Sequence, residues 1–211
     1  MYSKLLPRIV RAIKARLYWF LCVIIGDLKE KLFFDKTDTN KLEIGAGRGR
    51  RSGFITLDLS LSADFPYDLR IGLPFPNNSI DLIYAEHVLE HFDIQELLKL
   101  LKECFRVLKP EGNLSVVVPD AKIYIDAYNK QELFDKEYFC RYEFGLPYKS
   151  KIDYLNYMFY MGGNHKYMFD AENMLAILTL CGFSKVCQRA FDEQLDKAER
   201  KYESIYFDAS K

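Results

Sequence analysis

Short apolar runs alternate with amphipathic stretches along most of the chain. Lys41–Ile44 (KLEI) is an apolar run that leads into a glycine cluster, and Phe54–Ser60 (FITLDLS) alternates with β-branched residues. Both predict strands, as does Ser79–Glu86 (SIDLIYAE). Asp93 and Glu96 then form a capping box. It opens a helix with Leu97, Leu98, Leu101, Phe105 and Leu108 on one face, stopped by Lys109-Pro110-Glu111-Gly112. Asn113–Asp120 (NLSVVVPD) is nearly continuous in apolar residues, as expected of a strand covered on both faces. Asp170 is placed to cap a helix running to Leu180, with Gly182 as its stop. Residues 183–190 and 202–210 predict two closing strands. This order predicts an α/β domain with a mainly parallel sheet, which binds ligands beyond the carboxyl ends of its strands.

Two regions depart from this rhythm. Residues 131–165 are aromatic and irregular, and we read about 121–168 as a substrate-side insertion. At the other end, Leu6, Ile9, Ile13, Leu17, Phe20 and Ile24 recur at helical spacing, with Lys4, Arg8 and Arg11 on another face. The chain thus divides into an amphipathic helical segment, 1–34, and a domain, 35–211. The apolar run Leu17–Ile25 is too short to span a bilayer. It leads into charge rather than a small-residue cleavage site, so export is not expected. Two readings stand for residues 1–25: a helix docked on the domain or on a second subunit of a homodimer, or one lying on anionic lipid with Tyr18 and Trp19 at headgroup level.

Charge narrows the partners. Lysine plus arginine equals aspartate plus glutamate at 30 each, which does not suggest nucleic acid. The balance is uneven, since residues 1–16 hold five basic residues and no acid. The five cysteines form no C-x-x-C pair, so neither structural zinc nor a disulfide scaffold is expected, and a reducing cytoplasm is the expected compartment.

The strand ends carry the candidate chemistry. Glu43-Ile44-Gly45-Ala46-Gly47 ends the first strand, where glycines allow positive φ and close approach of backbone to a ligand. Asp58 ends the next strand, placed to accept hydrogen bonds from ribose hydroxyls. A dinucleotide fingerprint would need glycine where Arg50 stands and a longer interval to the acid. No full helix fits between Gly49 and Phe54, so no helix N-terminus is available for a pyrophosphate, and a ligand without phosphates suits the loop better.

The stretch Tyr84–Phe92 (YAEHVLEHF) contains H-x-x-E-H, a zinc-protease signature. That chemistry needs both histidines on one helix, a third ligand and a substrate cleft, and the flanking sequence supplies none of these. Residues 41–120, from KLEIGAGRG through LLKECFRVLKPEGNLSVVVPD, resemble the class I S-adenosylmethionine-dependent methyltransferases, most of all the type-11 group often found among bacterial polysaccharide and envelope genes. Residues 164–210 carry a weaker likeness, and the loop between Gly49 and Gly53 is shorter than the family pattern.

The resemblance implies a Rossmann-like three-layer sandwich, with a seven-stranded, mostly parallel sheet whose last strand is antiparallel. It implies S-adenosylmethionine as cofactor. Glu43, Gly45, Ala46 and Gly47 would lie against its methionine part, Asp58 at the ribose, Leu59 against adenine, and Asp68 and Leu69 at the adenine edge. Glu86 and His87 would face the methyl end. A sulfonium donor needs in-line alignment more than acid–base help. For a hydroxyl acceptor a neutral imidazole could take the proton, with His165 the first candidate and His91 the second; Tyr167 and Asp120 are further polar residues expected near the site. The acceptor expected is a small molecule, a sugar or a lipid-linked glycan. Two alternatives stand beside this reading. One is a metal-assisted O-methyltransferase using His87, Glu90, His91 and His165, since the spacing is similar to the E-x-x-E-H of ubiquinone-pathway and small-RNA methyltransferases. The other is a non-catalytic cofactor-binding scaffold. No bound metal is the favoured expectation.

Overall fold

The computed structural model describes Leu17, Phe20, Leu21, Ile24, residues 40–47, Gly49, 51–130 and 150–211. The rest of the 1–34 segment and residues 131–149 of the expected insertion lie outside the described residues. Seven strands form one sheet: β1 (Lys41–Ile44), β2 (Ile55–Asp58), β3 (Phe65–Pro66), β4 (Ile80–Glu86), β5 (Leu108–Pro119), β6 (Ser184–Gln188) and β7 (Ser204–Ser210). Their order is β3-β2-β1-β4-β5-β7-β6. Pairings among β1 to β5 are parallel, and β7 runs antiparallel to both β5 and β6. The expected seven-stranded, mostly parallel α/β sheet with an antiparallel last strand is therefore present.

Four helices of useful length accompany the described sheet: α1 (Ile94–Val107), α2 (Ala121–Asn129), α3 (Lys151–Tyr160) and α4 (Ala171–Leu180). Both halves of the capping box at Asp93 and Glu96 form, which fixes where α1 starts. Asp170 accepts from the Asn173 amide and starts α4. One sheet face carries Leu42, Ile44, Ile83, Leu114, Val116 and Phe207, and forms the main core with α1 and α4. Leu97, Leu100, Leu101, Cys104 and Val107 are the buried residues of α1. The buried stripe is thus rotated from the expected one: Leu98 and Phe105 are only partly buried, and Leu108 already belongs to β5. The wide apolar stripe left that rotation open in the sequence.

Three further expectations are corrected. The Lys109–Gly112 turn does not precede β5 but is folded into it as a bulge, with Ile80 opposite Leu108 and Leu82 opposite Asn113. β3 was not foreseen, being two residues long and ending in proline. Residues 150–165 are mostly helical rather than irregular: Tyr154, Tyr157, Met158 and Met161 recur at helical spacing and pack with Tyr124 and Ala127 of α2. Apolar and aromatic residues on every side of the helix, Ile152, Leu155, Phe159 and Tyr160 among them, hide that period. Most of those rings form a local core between α2 and α3, while Tyr160 remains exposed.

The second sheet face carries a polar row beside a small apolar cluster of Tyr84, Val117 and Tyr206. Thr56, Glu43, Tyr84, Ser115 and Asp208 lie side by side across five strands. Two arginines hold this row. Arg189 makes a two-pronged pair with Asp196 and also reaches Ser115 and Asp208. Arg51 stacks on the Tyr84 ring at 4.3 Å and sits 3.6 Å from Glu43 and 3.8 Å from Glu86. Among the described residues no helix lies between β1 and β2, and Arg51 fills that position. Arg51→Met leaves Glu43 short of a buried counter-charge, while Glu86 keeps its pair with Lys197. It is expected to lower stability by about 3 kcal/mol, or roughly 6–12 °C in Tm. Burial already pushes the Glu43 carboxyl up, so the deficit should shrink as the pH is lowered and Glu43 takes a proton. Thermal melts across a pH series check this.

Candidate active site

The carboxyl ends of β1, β2 and β4 open onto one cavity of about 430 Å³, a size suited to a small-molecule ligand. Gly45, Asp58, Leu59, Asp68, Leu69 and His91 line it. So do seven residues the sequence did not single out: Tyr67, Arg70, Val88, Phe92, Gly163, Asn164 and Lys166. Tyr67 and Arg70 flank Asp68-Leu69, and Gly163-Asn164 precede His165, so proximity in sequence was the signal available for them.

The floor is set by the glycine turn. Gly45 has φ +69° and donates its amide to the Leu57 carbonyl at 2.8 Å. A Cβ there would lie 2.3 Å from Val88 Cγ2. Gly47 also has positive φ, and its amide donates to Asp58 Oδ2 at 3.0 Å. Asp58 Oδ1 accepts from the Ser60 amide at 2.7 Å. The carboxylate is thereby fixed, with lone pairs left for two hydroxyl donors. Asp68 is buried, and Arg70 grips its carboxylate from Nε and the terminal nitrogen at 2.7–3.1 Å.

Several expected cofactor residues stand elsewhere. Glu43 does not line the cavity; it is buried behind the turn and paired with Arg51. Ala46 is buried beside it. Glu86 accepts from the Lys197 amide and pairs with its ammonium at 2.9 Å. His87 follows β4 in the left-handed region, φ +51°, and directs Nε2 to Ser204 Oγ at 2.7 Å. Burial holds it neutral, well below the usual histidine value. Asp120 caps α2, and Tyr167 packs on Phe169 and accepts from Asn173. Neither is part of the cavity lining.

The H-x-x-E-H histidines are not on one helix. His87 follows β4, and Leu89–His91 is a single 3-10 turn. His91 faces the cavity, and its ring lies 5.0 Å from that of His165. His165 is buried behind it and does not line the cavity. Burial lowers His165 to about 4 and raises Glu90 to about 8.

Residues 66–116 match the family model described as a methyltransferase domain. An uncharacterized protein of Methanocaldococcus jannaschii is 34% identical over 122 residues, 50% of this chain and 53% of that protein. The chain spans about half the length of that relative. A Thermotoga maritima SAM-dependent methyltransferase, described as a possible histamine N-methyltransferase, superposes with TM-score 0.51 at 18% identity, covering 95% of this chain and 97% of that one. Phosphoethanolamine N-methyltransferase 2 of Haemonchus contortus, solved with S-adenosylmethionine, gives TM-score 0.51 at 16% identity over 92% and 52%. With the β3-β2-β1-β4-β5-β7-β6 sheet and the glycine turn at its centre, these matches show that the chain has the fold of the class I S-adenosylmethionine-dependent methyltransferases and that its 66–116 stretch is similar to their methyltransferase domain.

Proposed function

We propose that the chain transfers the methyl group of S-adenosylmethionine to an oxygen of a small-molecule, sugar or lipid-linked glycan acceptor. The observation that carries the cofactor part is the convergence of Gly45, Asp58 and Asp68 on one cavity. Gly45 lets backbone approach the methionine part, Asp58 offers acceptors to the ribose, and Asp68 stands where an adenine edge would meet a carboxylate. The acceptor oxygen attacks the methyl carbon as the carbon–sulfur bond breaks. S-adenosylhomocysteine leaves, and the acceptor proton departs at the part of the cavity wall that His91 lines. Alignment supplies most of the rate. Support for an oxygen acceptor comes from the imidazole of His91, which lines the cavity and is of a type suited to removal of a hydroxyl proton. A methyl-transfer screen with labelled cofactor over sugar nucleotides, lipid-linked sugars and amines tests this. An O-methyl ether supports the assignment, and a product methylated only on nitrogen overturns it.

The N-terminal residues bear on where the acceptor is met. Leu17, Phe20, Leu21 and Ile24 are helical and exposed, at i, i+3, i+4 and i+7, so they form one uncovered apolar row. The sequence before them is basic and free of acid, and charge complementarity favours anionic lipid over a second copy. The full chain is expected to co-sediment with anionic vesicles and to lose that on Leu17→Ser/Phe20→Ser substitution. Equal sedimentation of both forms removes the lipid contact, and a change in oligomeric state without lipid binding points to the second copy.

A further inference from the structure

We propose that Glu90, His91 and His165 bind one divalent transition-metal ion at the wall of the cavity. This set differs from the one the motif spells, because His87 turns away to Ser204 and His165 takes its place. One ligand atom from each of the three residues lies within 4.8 Å of the other two.

The donors are prepared for a cation. Glu90 is buried, and neither of its carboxylate oxygens has a hydrogen-bond partner. Buried carboxylates are ordinarily satisfied, and a bound cation would satisfy this one. The nearest basic nitrogen, His87 Nδ1, is 3.6 Å away, too far for a hydrogen bond. His91 Nδ1 lies 3.0 Å from the Asn164 carbonyl, and His165 Nδ1 lies 2.5 Å from the Met158 carbonyl. A carbonyl only accepts, so each Nδ1 carries the ring proton and each Nε2 is left with its lone pair. Histidine ligands to metals show this backbone-anchored arrangement.

Backbone hydrogen bonds bring the two ends together. The amides of Lys166 and Tyr167 both donate to the Glu90 carbonyl, at 2.8 and 3.2 Å, pinning the turn after β4 to the turn before α4. Two imidazoles and one carboxylate suit Zn²⁺, Mn²⁺ or Fe²⁺ better than Mg²⁺ or Ca²⁺, which prefer oxygen ligands. His91 faces the cavity, so an ion there can also take an acceptor oxygen and make its proton easier to lose. His91 and His165 would then act as ligands rather than as bases. That last role rests on the methyltransferase reading, whereas binding of the ion does not.

The test uses the full chain, tag removed, dialysed against chelator and then against metal-free buffer. Calorimetry with Zn²⁺ and visible absorption with Co²⁺ are expected to show one ion per chain, a tetrahedral-type Co²⁺ band and a raised Tm. Glu90→Gln and His165→Gln should each weaken binding by roughly a hundredfold or more, and His87→Gln should leave it within about threefold. Glu90→Gln removes an unpaired carboxylate and should fold, which its melt verifies. Failure to bind Zn²⁺ at micromolar concentration, or binding that survives Glu90→Gln, overturns the site. S-adenosylhomocysteine binding measured on the same samples separates loss of the metal site from failure of the methyltransferase reading.

Discussion

Gly45→Ala is expected to abolish binding of S-adenosylhomocysteine and to destabilise the domain. The added methyl would sit 2.3 Å from Val88 Cγ2 and 2.6 Å from Val88 Cβ. Val88 belongs to the turn that follows β4 and is itself buried, so neither partner can withdraw without moving the carboxyl end of a central strand. The backbone at Gly45 also has φ +69°, a conformation that costs an L-residue about 1–2 kcal/mol. Overpacking adds about 1–3 kcal/mol, and together these predict a fall in Tm of roughly 5–15 °C. Gly47→Ala is the informative comparison. It shares a positive φ, but a Cβ there meets nothing within 4 Å, so its thermal cost should be only the conformational one. Paired melts and calorimetry on the two variants measure the difference. Equal destabilisation would show that contact with Val88 contributes nothing.

Asp58→Ala is expected to weaken S-adenosylhomocysteine binding by roughly a hundredfold to a thousandfold while leaving the fold nearly intact. Hydrogen bonds to a charged group are worth about 1.5–3 kcal/mol each, and two are expected from the ribose. At about 1.4 kcal/mol per tenfold, even weak bonds give two decades. Truncation also releases the Gly47 amide from its 3.0 Å bond to Oδ2, which loosens the turn under the ligand. Asp58→Asn should fall between, since an amide keeps one acceptor oxygen and places a donor against a backbone N–H. Calorimetric titration of the three forms tests the order. A loss under about tenfold for Asp58→Ala would remove the ribose role.

The sequence made the sheet legible because its central strands are apolar runs bounded by strong punctuation. The capping box at Asp93 and the cap at Asp170 located two helix starts to the residue. Where local pattern weakened, the reading failed for identifiable reasons. β3 is two residues held only by its pairing with β2, and no periodicity exists over two residues. Tyr154, Tyr157 and Met158 form a helical stripe hidden among other aromatics. At the site, Gly45, Asp58, Leu59, Asp68, Leu69 and His91 do share a cavity. Glu43 and Glu86 do not line it, because Arg51 and Lys197 engage them. The Glu86–Lys197 pair links residues far apart in sequence, so spacing could not reveal it. The same holds for His165, whose approach to Glu90 and His91 depends on the backbone clamp at the Glu90 carbonyl.

The central claim is that this cavity is a cofactor site of the methyltransferase family. Titration of S-adenosylhomocysteine into the full chain by calorimetry tests it most directly. One site per chain is expected, with a Kd of roughly 1–100 μM, lost in Gly45→Ala and weakened in Asp58→Ala. A folded protein that takes up no S-adenosylhomocysteine at millimolar concentration would contradict the claim.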